Sequence, residues 1–198
     1  SIVDFLKELG ARPFIFPAMG SHGGGTADGQ AQVIAHYGIT ETAMGCPVLS
    51  SMEAVQIGQS LKGIPVFLDK HASEADHVVV VNRVKAHTEF KGEIESGVMK
   101  MLLIGMGKQE GARVYHKAFA DHGFDRLVES LASVVIERAK VLCAVAIIEN
   151  AYEETALIRG LAPHQIVASE RALLQKAKDL APKLPFDEMD LLIVDRIG

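Results

Sequence analysis

The chain has no tryptophan, only two cysteines and few aromatic residues of any kind (6%). Two cysteines 97 positions apart, Cys46 and Cys143, exclude a disulfide-stapled secreted scaffold. Both read as buried thiols of a reducing compartment, and the expected location is the cytoplasm. Long apolar runs are also missing. The longest, Val141 to Ile148, has eight residues, against roughly 18 for a membrane span. No basic segment followed by an apolar one opens the chain, so no signal peptide is visible. Charge of one sign is not in excess: 20 Lys+Arg stand against 25 Asp+Glu, a net charge of -5. The basic residues are scattered, which argues against a nucleic-acid footprint. What is abundant is apolar: 48% of the residues are hydrophobic, too many for a disordered chain. The 198 residues suit one large α/β domain with an ample core.

The chain begins at Ser1 and enters a helix-like pattern at once; it stops at Gly198, just after the apolar run Leu191 to Val194. Residues 1–198 are therefore expected to be a single α/β domain within a longer polypeptide.

The pattern predicts the following elements. A helix covers residues 2–9 and ends at Gly10. Pro13 to Pro17 (PFIFP) reads as a short buried strand. A glycine-rich loop spans Ala18 to Thr26, and a helix follows from Ala27 to Tyr37. Residues 47–69 suit a hairpin or two short strands. His77 to Val81 (HVVVV) is the clearest buried strand. Val98 to Ile104 is helical, as are Gly111 to Asp121 and Phe124 to Ala139, with Leu127, Leu131, Val134 and Val135 on one face. Leu142 to Ile148 is a strand, with Thr155 to Ile158 as its hairpin partner. Ile166 to Leu180 is a helix, and Leu191 to Val194 is the last strand. Alternating strands and helices give a layered α/β sheet, at least partly parallel, with flanking helices.

Four features could carry chemistry. The first is the loop Gly20-Ser-His-Gly-Gly-Gly-Thr26, between a strand and a helix, where open α/β sheets bind ligands. Gly20, Gly23, Gly24 and Thr26 there would let backbone and hydroxyl approach a ligand, and helix-start N–H groups favour an anion. The loop lacks the Walker A ending and the dinucleotide spacing, so the turn alone is as readily a tight connection as a phosphate cradle. His22 within it is placed for acid–base work. The second is Asn82 to Gly97, dense in titratable groups where it leaves the HVVVV strand. A solvated loop accounts for Lys91, Glu93 and Glu95, but less well for Asn82, Arg83 and His87. The third is Lys100, one lysine in an apolar segment, to be read as a snorkelling side chain or as a desolvated nucleophile. The fourth is His116 on a predicted helix. The wide spacing of the histidines rules out a local zinc signature.

The stretches PAMGSHGGGTADGQ and VNRVKAHTEFKGEIESGVMKMLLIGMGKQEGARVYH resemble the nickel-pincer lactate racemase family over most of the chain, which would then be part of the N-terminal domain of a two-domain protein. The resemblance implies that His22 and His87 are an acid–base pair, that Lys100 carries a covalent nickel-pincer nucleotide, and that His116 is the protein's nickel ligand. It implies a racemase or epimerase acting on a small-molecule 2-hydroxy acid by reversible hydride transfer. The loop between His87 and Lys100 is a few residues longer than in lactate racemase itself, and Glu89, Lys91, Glu93 and Glu95 would alter substrate contacts. The family's substrate-binding Asp/Arg motif would lie before Ser1 and its second domain after Gly198, so this segment alone is expected to be inactive. Two other readings of the residues stand beside this one: a zinc hydrolase using His22, His87 and His116, and a non-catalytic anion- or nucleotide-binding module using Gly20 to Thr26.

Overall fold

A computed structural model describes residues 1–87, 92–184, 186, 188 and 190–193. The first helix, α1 (Ile2–Glu8), opens with a capping box between Ser1 and Asp4. Helices α2 (Ala27–His36) and α3 (Glu41–Met44) are each capped by a threonine hydroxyl, of Thr26 and Thr40. Strands β1 (Ala54–Gln59) and β2 (Pro65–Asp69) form an antiparallel hairpin. Asp69 ends β2 and caps the short helix α4 (Lys70–Glu74). Strand β3 (Val78–Arg83) leads through residues 84–97 to a one-turn helix, α5 (Val98–Lys100), continued by a π-helical turn over Met101–Gly105. Then come α6 (Lys108–His122), α7 (Phe124–Arg138), β4 (Val141–Glu149), β5 (Thr155–Leu161) and α8 (Ile166–Leu180).

The second sheet has the order β3-β4-β5. β3 and β4 are parallel, and β4 and β5 antiparallel, so the fold is mixed α/β, as the sequence pattern implies. A parallel neighbour requires a crossover, here the helices between β3 and β4. Val78 and Val80 of β3 share the buried core with Ala144, Ala146 and Ile148 of β4, Leu127, Leu131 and Val135 of α7, and Leu173 and Leu174 of α8. No helix among the described residues is long and apolar enough to cross a membrane. Cys46 is buried and Cys143 half-buried, and both are free thiols.

Three expectations are corrected. Pro13 to Pro17 is not a strand. A single parallel bridge joins Ile15 to Val48, with Ile15 N–H donating to Pro47 O and Leu49 N–H to Ile15 O. The prolines at both ends have no N–H to extend the ladder. The helix expected over Val98 to Ile104 widens into a π turn, with Met106 N–H reaching back five residues to Met101 O. Leu191 to Ile193 are not in a strand and are exposed (54–78%), because no described strand pairs with them. Val194, the end of that expected strand, lies outside the described residues, as do Glu89 and Lys91.

Candidate functional site

The helical segment 97–105 carries Lys100, and the two histidine-bearing segments reach its opposite ends.

At the C-terminal end lies the glycine-rich loop. Gly20 N–H donates to Gly105 O. A Cβ at Gly105 would come within 2.5 Å of Ala18 O, and one at Gly20 within 3.0 Å of Ile104 O. Only glycine lets the two backbones approach this closely. Within the loop, His22 is exposed and its Nδ1 lies 2.6 Å from Met19 O. A carbonyl can only accept, so Nδ1 carries the proton and Nε2 presents a lone pair in the neutral ring. The other loop residues expected to meet a ligand are partly engaged in the fold. Gly20 is buried and its carbonyl accepts from Gln30 Nε2 at 2.7 Å. Gly23 packs on the backbone of Gly29 and Gln30. The Thr26 hydroxyl accepts from Gly29 N–H as the cap of α2 and donates to Gly23 O. Gly24 and Thr26 are exposed, and at Gly24 open space lies where a side chain would stand.

At the N-terminal end, Lys85 N–H donates to Ser96 O and Asn82 Nδ2 donates to Gly97 O, fastening the chain after β3 to the start of α5. His87 is half-buried. Its N–H donates to Glu95 Oε2 at 2.9 Å, while Glu95 Oε1 accepts from Gly92 N–H at 3.2 Å and from Lys178 Nζ at 2.8 Å. The reading of Glu95 as part of a solvated loop is thereby corrected: its side chain is fully buried. Burial pushes its carboxyl up, but the Lys178 ammonium and the two amides outweigh this and hold it below the ordinary range. Arg171 of α8 reaches the same segment through an ion pair with Glu93 at 3.0 Å.

Lys100 is half-buried between the buried Met99 and Leu102. The start of its helix is capped from α8: Glu170 Oε2 accepts from Met99 N–H at 2.8 Å, while Oε1 has no hydrogen-bond partner among the described residues. Burial pushes the Glu170 carboxyl up to about 7, against the pull of the Met99 and Val98 amides. Gly97 is required here, because a Cβ would stand 2.7 Å from Glu170 Oε1. His116 is exposed on α6, eight residues beyond Lys108. The structure thus joins the segments bearing His22, His87 and Lys100 directly. His116 enters only through α6, which begins where the glycine loop packs, with Gln109 against Gly25.

Sequence reasoning passed over the most deeply buried charges. Lys108 is fully buried, as is its ion-pair partner Asp69, with Nζ and Oδ2 3.1 Å apart. Nζ also donates to Pro17 O at 2.7 Å and to Gln30 Oε1 at 3.0 Å. Desolvation lowers the Lys108 pKa, and Asp69 opposes the shift. Lys108 follows Met106-Gly107 and precedes Gln109-Glu110, which reads as an ordinary exposed helix start. Glu170 was legible. Ile166, Glu170, Leu173, Leu174 and Ala177 form one helical stripe, with a carboxyl among apolar residues.

Among the described residues no group of three or more His, Cys, Asp or Glu could hold a metal ion. His22, His87 and His116 therefore do not gather into the ligand set that a zinc hydrolase needs.

No curated protein matches the chain by sequence. Among solved structures, the lactate racemase apoprotein from Thermoanaerobacterium thermosaccharolyticum is similar, with a TM-score of 0.66 and 16% identity. The likeness covers 84% of this chain and 42% of that one, so this chain spans less than half the length of its structural neighbour. At such identity the likeness speaks for the fold. The family described as "Domain of unknown function (DUF362)" matches residues 1–180. With nine-tenths of its length inside that match, the chain belongs to the DUF362 family.

Proposed function

We propose that this domain is the cofactor-bearing half of a racemase or epimerase acting on a 2-hydroxy acid. The observation that carries the reading is the placement of Lys100 between two histidine-bearing segments, on a fold similar to that of a lactate racemase apoprotein. The residues fit a nickel-pincer nucleotide. That group brings most of its own metal donors and needs one amine for attachment and one imidazole. The chain offers a half-buried Lys100 and an exposed His116, without a metal cage of its own among the described residues. Lys100 would hold the nucleotide and His116 the nickel. When bound, the group would supply hydride acceptance and return at the substrate's α-carbon.

The chain's own work is proton handling. His22 Nε2, unprotonated in the tautomer set by Met19 O, would take the hydroxyl proton of one enantiomer and give it back. His87, from the other end of the Lys100 segment, would do the same for the opposite face. Gly24, the exposed glycine of the loop, would let the nucleotide approach the backbone.

The test is the intact mass of the full-length protein expressed with nickel and the cofactor-synthesis enzymes. A mass increment present in the wild type and lost in Lys100→Ala is expected. No increment in the wild type sinks the reading.

A further inference from the structure

We propose that Gln30 and Lys108 are positioning residues that set the tautomer of His22. This rests on the reading of His22 as an acid–base group and extends it to the side chains beneath the loop.

The argument follows one buried chain of contacts. Asp69 accepts at Oδ1 from Ala72 N–H and meets the Lys108 ammonium at Oδ2. Lys108 has donors only, so it can face only the oxygen of the Gln30 amide. That orients Gln30, whose Nε2 must then point to the loop. There it donates to Gly20 O at 2.7 Å and to His22 O at 3.2 Å. Both bonds grip residues 20–22 from below. Above them, Met19 O accepts from both the His22 backbone N–H at 3.2 Å and the ring Nδ1 at 2.6 Å. The turn from Met19 to His22 is thus held on one side by Gln30 and closed on the other by the histidine itself.

An exposed imidazole on a glycine-rich turn would otherwise exchange between its two neutral tautomers and several rotamers. In the Nε2–H form Nε2 could donate a proton but not accept one, and the lone pair would lie on Nδ1 against Met19 O. Pro17 O, just before the loop, is tied to the same ammonium, so both the approach to the turn and its far end are fixed to one point. Lys108 adopts a positive φ of 54°, strained for a side chain of this size. Its place at the head of α6 ties the loop to the helix that carries His116. An apolar residue would fill the space without the desolvation of an ammonium. The orientation of the Gln30 amide is what a charged donor adds.

Nitrogen NMR of histidine-labelled full-length protein tests this. Neutral His22 in the wild type is expected in the Nδ1–H tautomer; an Nε2–H ring overturns the proposal and requires no variant. Gln30→Glu keeps an acceptor for Lys108 and removes both donors to the loop. It is expected to yield a mixture of tautomers. In the cofactor-loaded enzyme it should lower kcat about 100-fold, with KM within about twofold of the wild type. An unchanged tautomer in Gln30→Glu also overturns the proposal. Tautomers that behave as expected, in a loaded wild type that racemises no 2-hydroxy acid, overturn the acid–base reading of His22 instead.

Discussion

At the scale of single residues, the buried carboxyl of Glu170 has the most direct physical consequence. Its pKa rises from 4.5 to about 7 because burial disfavours the charged form. Between those values the folded chain binds a proton that the unfolded chain has released. Stability therefore falls as pH rises through this window and stays low above it. Chemical denaturation at pH 5 and pH 8 is expected to show the wild type weaker at the higher pH, with Glu170 contributing at most ~3 kcal/mol. Glu170→Gln should remove that share of the slope. A variant with the wild-type slope would assign the dependence to other groups.

At the scale of elements, α8 is the brace of the Lys100 segment. Three of its side chains hold residues 93–99: Glu170 on Met99 N–H, Arg171 on Glu93 and Lys178 on Glu95. These contacts differ in worth because they differ in burial. The Arg171–Glu93 pair is solvent-facing, with side chains 44% and 74% exposed, and Arg171→Ala is expected to cost no more than about 1 kcal/mol. Glu95→Ala would strand the His87 and Gly92 amides and the Lys178 ammonium together, and is expected to cost roughly 2–3 kcal/mol or more. Thermal melts should rank the two variants in that order. Amide exchange at His87 should quicken in the second only; equal effects would mean that the buried carboxylate is no clamp.

At the scale of the whole molecule, the core and the element order were legible because they rest on periodicity. Leu127, Leu131 and Val135 repeat at helical spacing, and all three are fully buried. Leu131→Ala is therefore expected to cost about 2–5 kcal/mol, read as a lower denaturant midpoint; a loss under 1 kcal/mol would mean that α7 packs loosely. The β-branched run His77 to Val81 became a strand that begins one residue later, at Val78, and continues two residues past Val81 to Arg83. What periodicity could not show were contacts made across long sequence separations. Lys108 reaches back 91 residues to Pro17 O, and Glu95 reaches forward 83 residues to Lys178. In each case the local sequence is that of a solvated surface. The candidate site divides in the same way. His22, His87, Lys100 and His116 stood out by residue type and order, whereas Gln30, Glu95 and Lys108, which hold the neighbouring backbone, did not.

The π turn at Met101–Gly105 bears on phase. On one unbroken α-helix, 16 residues would set Lys100 and His116 about 160° apart, on nearly opposite faces. The wider turn and the interruption at Met106-Gly107 cancel that relation and give α6 its own angular origin. The interval between the two residues therefore measures contour length and carries no helical bearing.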